Sequence, residues 1–158
     1  MKKNWKVINE IKYKNMNECV ESLIKENYIV SHWIKDIAKR NMTETNQIHL
    51  PVELVRVKVS ELGVNGPTTL KKIYELLDQN QFMPLHPLIA VITRFLYDEQ
   101  IKGEWLRIAV PFDSMIDSDG VPHLPKLGHA LNLFFIETYW SYPEAIFHPH
   151  NDFVVQRK

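Results

Sequence analysis

Residues 52–77 read VELVRVKVSELGVNGPTTLKKIYELL, and this stretch has the clearest secondary-structure pattern in the chain. Apolar and charged residues alternate, although imperfectly, from Val52 to Val59, which predicts a strand with one charged side. After a turn with two glycines and a proline, Thr68 or Thr69 can cap a helix. The buried face of that helix comprises Leu70, Ile73, Tyr74 and Leu77. The stretch therefore predicts a strand, a turn and a helix in succession.

A glycine-bearing turn between a strand and a helix is also where phosphate-binding loops lie. Residues 63–69, GVNGPTT, match neither the dinucleotide fingerprint nor the P-loop, because the lysine-threonine ending is absent. We interpret this segment as an ordinary turn.

The residues before this stretch predict a strand and two helices. Apolar residues at alternate positions from Trp5 to Tyr13 indicate a half-buried strand, which Asn9 interrupts. Asn15 and Glu18 have the spacing of a capping box, with Asn in place of Ser or Thr. Two apolar helical faces follow, and we expect two helices that break near Asn27. A polar connection, residues 41–51, leads to the central strand.

Beyond residue 80 the pattern is less clear. Residues 85–97 fit both a helix and a strand, and we expect a short helical turn after Pro84 that leads into a strand. That strand would form a hairpin with residues 105–110, because the polar segment between them contains a glycine. We expect a loop with an Asp-Gly turn next, followed by three elements: strands near 131–139 and 152–157, with a structured loop over 143–149 between them.

The mixed order of helices and strands predicts an α+β fold, with a mostly antiparallel sheet and the N-terminal helices packed on one face. We expect a single α+β domain, 1–158, because 45% of the residues are apolar and 24% charged, as in average globular domains. The sequence shows no signal peptide and no apolar run of the ~20 residues needed to span a membrane. The single cysteine, Cys19, cannot form an internal disulfide. We therefore expect a cytoplasmic protein without a membrane partner.

Several segments together resemble an uncharacterised family of small bacterial proteins. They are Val55–Gly63, Thr69–Tyr74, Gly103–Ala109, Asp117–Gly120 and Asp152–Val155. The resemblance covers roughly the last two-thirds of the chain. It implies a bacterial or phage origin, and it brings no activity, ligand or catalytic residue with it.

The distribution of charge disfavours a nucleic-acid partner. The chain has 19 basic and 19 acidic side chains, and no segment concentrates the basic residues as phosphate binding usually requires. Aspartates in the loop Asp113–Gly120 could hold a hard cation, but aligning Asp117 and Asp119 with an EF-hand places Met115 and Lys126 at positions that should be acidic. We interpret this loop by its turn chemistry.

Histidines in the last third of the chain are the main candidates for chemistry. They are His123, His129, His148 and His150. His148, His150 and Asp152 lie close together in sequence and form a candidate site for a divalent metal, which is the only cofactor we consider. Nucleophilic catalysis by Ser118 or Ser141 has no motif around it. A carboxylate pair made of Glu104 and Glu137 has no geometric support in the sequence.

The last forty residues are rich in aromatic side chains. We expect Trp140, Tyr142, Phe147 and His148 to form a binding surface, since Trp and Tyr often dominate interfaces. The leading hypothesis is therefore a non-enzymatic interaction or regulatory module of bacterial or phage origin, with a protein as its partner. The alternative is a small metal-dependent hydrolase that uses the C-terminal His/Asp cluster.

Overall fold

The computed structural model describes residues 2–40 and 48–158. This part of the chain contains four helices: α1 (Met16–Lys25), α2 (His32–Arg40), α3 (Leu70–Gln79) and α4 (Pro87–Leu96). It contains ten strands: β1 (Lys6–Ile8), β2 (Ile29–Val30), β3 (Val52–Lys58), β4 (Thr68–Thr69), β5 (Phe82–Met83), β6 (Trp105–Ile108), β7 (His123–Ala130), β8 (Leu133–Trp140), β9 (Ile146–Phe147) and β10 (Asp152–Arg157). Of the polar connection expected over 41–51, residues 41–47 lie outside the described residues.

Eight of the strands form one sheet, in the order β1-β3-β10-β6-β7-β8-β2, with β5 paired to β10. Its pairs are antiparallel except for β10 with β6 and β2 with β8. A second small sheet pairs β4 with β9. This arrangement confirms the predicted α+β class with a mostly antiparallel sheet. Within the described residues, no helix is long and apolar enough to cross a membrane.

Local sequence signals explain the N-terminal half. The side chain of Asn15 accepts a hydrogen bond from the backbone N–H of Glu18 at 2.9 Å, as the capping pattern predicts. The chain breaks between α1 and α2 at Asn27, whose φ of 69° is left-handed and therefore ends a helix. Thr69 caps α3 by accepting from the N–H of Lys72 at 3.2 Å. The two-residue strand β2 between the first helices was not expected.

The prediction for residues 85–97 is wrong, because this segment is the helix α4 rather than a short turn and a strand. Every residue from Pro87 to Arg94 is buried, so the helix has no polar face to mark its period. His86 caps it, since its Nδ1 accepts from the N–H of Leu88 at 3.1 Å, and Pro87 occupies the first helical position. The predicted hairpin is also absent, and β6 pairs with β7 and β10 instead.

Strand β7 was not expected, because its sequence HLPKLGHA contains proline, glycine and two histidines. It nevertheless pairs with β8 along its whole length. Leu131 and Asn132 connect the two strands with φ values of 52° and 62°, as a tight hairpin turn requires. Residues 123–130 therefore form a strand because they pair with β6 and β8, and not because of their own strand propensity.

The buried residue Arg94 links α4 to this hairpin by hydrogen bonds. The side chain of Arg94 is 0% exposed, and its guanidinium donates to the backbone carbonyls of Tyr97, Gly128 and Phe135 and to Oε1 of Gln100. Burial lowers the pKa of Arg94 to about 10. Because α4 contacts β7 and β8, it covers one face of the sheet there. The other face of the same strands is more open.

Candidate functional site: a cationic face of the sheet

The open face is defined by the strand register. Arg107 of β6 lies opposite Lys126 of β7, and Lys126 lies opposite Glu137 of β8. Residues paired across strands point to the same face, and so do residues two apart along a strand. Trp105 and Tyr139 therefore share this face. We call the set Trp105, Arg107, Lys126, Glu137 and Tyr139 the cationic face.

The central feature of the cationic face is a pair of adjacent positive charges. Like charges directly opposite each other on neighbouring strands destabilise a sheet. The side chains of Arg107 and Lys126 form no hydrogen bond or ion pair with any described residue, and Nε of Arg107 is buried without a partner. Burial lowers the pKa of Arg107, and burial together with the charge of Arg107 lowers the pKa of Lys126; Asp152 and Glu137 offset these effects only in part. The folded protein therefore maintains two adjacent cations that are only partly compensated.

Aromatic rings lie beside both cations. The Nζ of Lys126 is 4.7 Å from the ring centroid of Trp105 and 5.9 Å from that of Tyr139. The Cζ of Arg107 is 5.8 Å from the Tyr139 centroid and 5.5 Å from that of Phe147. Such contacts stabilise a cation modestly and leave its hydrogen-bond donors free. Apart from the buried Nε of Arg107, the donors of the two side chains therefore remain free of partners among the described residues.

The ring of Trp105 packs directly against the backbone of Gly128. A Cβ atom added at Gly128 would overlap the six-membered ring of Trp105, so only glycine lets the indole lie against the strand here. The side chain is still 40% exposed. Trp105 thus presents a fixed aromatic surface next to the ammonium group of Lys126.

The acidic side chains near the two cations act on them at a distance, and none of the described ones forms an ion pair with either cation. Asp152 and Glu104 both bind Arg56, at 2.6 Å and 3.4 Å, and Glu104 also accepts from the hydroxyl of Tyr97 at 2.8 Å. Glu137 lies opposite Lys126 but forms no ion pair with it within 4 Å. Glu104 forms its ion pair with Arg56, whereas Glu137 lies on the cationic face opposite Lys126. The structure therefore does not assemble Glu104 and Glu137 into the carboxylate pair that the sequence analysis considered.

The predicted aromatic binding residues are divided between the surface and the core. Trp140 is 49% exposed, Tyr142 is 44% exposed and His148 is exposed. Phe147 is 1% exposed and packs against the rings of Tyr139 and Phe153. Its side chain is therefore not part of a surface, and this part of the prediction needs correction. The apolar packing of β9 on β8 and β10 draws Phe147 inward, where its ring supports Arg107.

The structure does not bring the predicted metal ligands together. Among the described residues, no group of three or more His, Cys, Asp or Glu side chains has an arrangement that could hold a metal ion. The rings of His148 and His150 stack with centroids 5.9 Å apart, whereas the carboxylate of Asp152 binds Arg56. The strong ion pair with Arg56 is the physical reason why Asp152 does not face the histidines.

A buried polar network on the helix-covered face involves the aspartate loop. Oδ1 of Asp117 accepts from the N–H groups of Asp119 and Val121, which confirms the turn interpretation of this loop. Oδ2 of Asp117 lies 2.8 Å from Nε2 of His123, and Nδ1 of His123 lies 2.9 Å from the hydroxyl of Thr138. The hydrogen bond with His123 is the main cause of a lowered pKa for Asp117. Both ring nitrogens of His123 are thus occupied.

The remaining sequence candidates lie apart from one another. Nδ1 of His129 lies 2.6 Å from the backbone oxygen of Gln100. The hydroxyl of Ser141 is buried and has no partner among the described residues, and Ser118 is exposed. Burial raises the pKa of Cys19 to about 12, so its thiol is unreactive at neutral pH.

Comparison of the chain with models of protein families, with curated proteins and with solved structures found no match. The site is therefore described by its own geometry. Arg107 and Lys126 did not stand out in the sequence, because only the pairing of β6 with β7 makes them neighbours.

Proposed function

We propose that this protein is a non-enzymatic interaction module of bacterial or phage origin, and that it binds an anionic group of its partner at the cationic face. The observation that supports this proposal is the cross-strand pair of Arg107 and Lys126, whose side chains form no ion pair with any described acidic residue. The bacterial or phage origin rests on the sequence resemblance alone.

The energetics of the cation pair favour a bound anion. Burial acts against both charges, and the charge of Arg107 adds to this effect on Lys126, as their lowered pKa values indicate. An anion between them would relieve the repulsion, and hydrogen bonds to charged groups contribute about 1.5–3 kcal/mol each. Binding of an anion would thus remove part of the electrostatic cost of keeping the two cations close together on this face.

The other members of the face suit recognition. Trp105 and Tyr139 are amphipathic rings with few rotatable bonds, and such side chains lose little entropy on binding. Both are held in place, Trp105 by the backbone at Gly128 and Tyr139 by the ring of Phe147. A preorganised surface of this kind lowers the cost of association.

Thermal unfolding in the presence of anions tests this proposal. We expect inorganic phosphate or a hexaglutamate peptide to raise the Tm of the wild type more than chloride at equal ionic strength does. At about 100 times the Kd, a ligand that binds only the folded state adds about 2.7 kcal/mol to its stability. The double variant Arg107→Gln, Lys126→Gln should lose this effect.

Lys39→Gln is the matched control, because it removes one positive charge from an exposed position on α2. An equal rise of Tm in the wild type, the control and the double variant would contradict the proposal. Far-UV circular dichroism of each variant establishes that it is folded before the comparison is made.

A further inference from the structure

We infer that the cationic face takes one nucleotide unit, whose phosphate lies on Arg107 and Lys126 and whose base stacks on an aromatic ring. This inference rests on the proposed function, namely that the face binds anions, and it names the chemical class of the ligand. Four observations about the face lead to it.

The first observation is the position of an aromatic platform next to the charges. Trp105 is 40% exposed, and Gly128 below it holds the ring against the strand. Aromatic rings on a sheet surface are a common platform for nucleobases, and one stacked base contributes substantially to binding. A simple inorganic anion would leave this ring unused.

The second observation is the short distance between charge and ring. The ammonium of Lys126 is 4.7 Å from the Trp105 centroid, and Arg107 is its direct cross-strand neighbour. Because this ammonium lies over the ring, a base that stacks on Trp105 would take its place there and bring the phosphate of the same nucleotide within reach of both cations. Arginine and lysine are the usual side-chain donors to phosphate oxygens.

The third observation is a carboxylate beside the cations. Glu137 lies opposite Lys126 and is half-buried. Its carboxylate forms no hydrogen bond with any described residue. A carboxylate accepts hydrogen bonds from the hydroxyl groups of a sugar or from the amino group of a base.

The fourth observation concerns the size of the ligand. Two cations match one phosphate, and the chain as a whole carries 19 basic and 19 acidic side chains. A long single strand gains affinity from many phosphate contacts, which this surface does not offer. The ligand we infer is therefore a mononucleotide.

Isothermal titration calorimetry with AMP, adenosine, inorganic phosphate and hexaglutamate tests the inference. We expect AMP to bind more tightly than either adenosine or phosphate, because it uses the ring and the cations together. Removing one charged donor, in Arg107→Gln or Lys126→Gln, should weaken AMP binding about tenfold or more. Lys126→Arg keeps the charge and should retain most of the affinity, and Lys39→Gln should bind like the wild type.

Trp105→Leu separates stacking from charge. It should weaken AMP binding about tenfold, in line with the loss of one stacked base, and reduce the affinity for phosphate by a smaller factor, since the ring also contacts Lys126. Circular dichroism checks its fold, and retained phosphate binding shows that the cations are still in place.

The possible failures are distinguishable. If phosphate binds as tightly as AMP, or if Trp105→Leu leaves AMP binding unchanged, the nucleotide inference is wrong and the anion-binding proposal stands. The same holds if hexaglutamate binds through Arg107 and Lys126 while AMP does not. If neither AMP, phosphate nor hexaglutamate binds, or if their binding survives in both cation variants, the inference and the proposed function both fail.

Discussion

Each face of the sheet carries an arginine that is at least half-buried, and the two arginines differ in the hydrogen bonds of their side chains. On the helix-covered face, Arg94 is fully buried and donates to three backbone carbonyls and one side-chain oxygen. On the cationic face, the side chain of Arg107 is half-buried and donates to no described residue. In both arginines Nε is buried without a partner among the described residues, so the difference lies in the terminal nitrogens. A guanidinium whose terminal donors are satisfied internally stabilises the fold, whereas one whose terminal donors are free can serve a partner. The comparison therefore separates a structural arginine from a binding arginine.

The largest effect should come from removing the structural arginine. Arg94→Met would leave the carbonyls of Tyr97, Gly128 and Phe135 without this donor, and buried unsatisfied groups cost about 1–3 kcal/mol each. We expect the free energy of unfolding to fall by about 3 kcal/mol or more, measured by urea denaturation. A loss below about 1 kcal/mol would mean that the network contributes little, and the comparison of the two faces would fail.

A smaller loss is expected at the glycine below Trp105. Gly128→Ala introduces a methyl group where the indole ring lies, and overpacking of this kind costs about 1–3 kcal/mol. Urea denaturation measures the loss, and tryptophan fluorescence should report the displaced ring. Ala130→Gly, at the end of the same strand, is a control that adds no atoms. Wild-type stability and fluorescence in Gly128→Ala would show that the ring is not fixed.

The polar network on the helix-covered face should be visible at acid pH. The pKa of Asp117 is lowered from 3.8 in the folded protein, mainly by His123, so its carboxylate stabilises the fold above that pH. The contribution is lost as the pH falls through the lowered value. Asp117→Asn should therefore flatten the acid limb of a plot of unfolding free energy against pH. An unchanged acid limb in this variant would assign the acid sensitivity to other carboxylates.

The smallest effect on stability should come from the binding arginine. Arg107→Met removes a charge that has no hydrogen-bond partner and keeps apolar contact with the rings, so we expect stability within about 1 kcal/mol of wild type. Anion binding should nevertheless weaken about tenfold or more, since one charged donor is removed. A large destabilisation of this variant would make Arg107 a structural residue like Arg94. Urea denaturation and calorimetry with phosphate measure the two properties separately.

The sequence predictions are correct for elements that short stretches of sequence determine, and they fail for elements that depend on distant residues. The strand β3, the cap of α3 at Thr69, the cap at Asn15 and the break at Asn27 all come from local chemistry, and the structure confirms them. Helix α4 is buried all round, so its period was hidden. Strand β7 depends on partners distant in sequence, and with it the neighbourhood of Arg107 and Lys126 was also missed.

The candidate site was only partly foreseen. The aromatic character of the last forty residues predicted a binding surface there, and Trp140 and Tyr142 are exposed, while their role in binding stays a prediction. Whether a ring near a strand end points outward or inward depends on the register of β9 with β4, which no local pattern specifies. Phe147 was therefore assigned to the surface although it lies in the core.

The position of β10 has a consequence for how the protein forms in a cell. Residues 152–157 insert between β3 and β6, in the middle of the sheet, although all other strands precede them in the chain. During synthesis, the halves of the sheet on either side must wait until these residues leave the ribosome. Pairings over long sequence separations are slow to form. The nascent chain thus exposes the edges of β3 and β6 until residues 152–157 have emerged from the ribosome, and chaperones that shield unpaired strands would act in that interval.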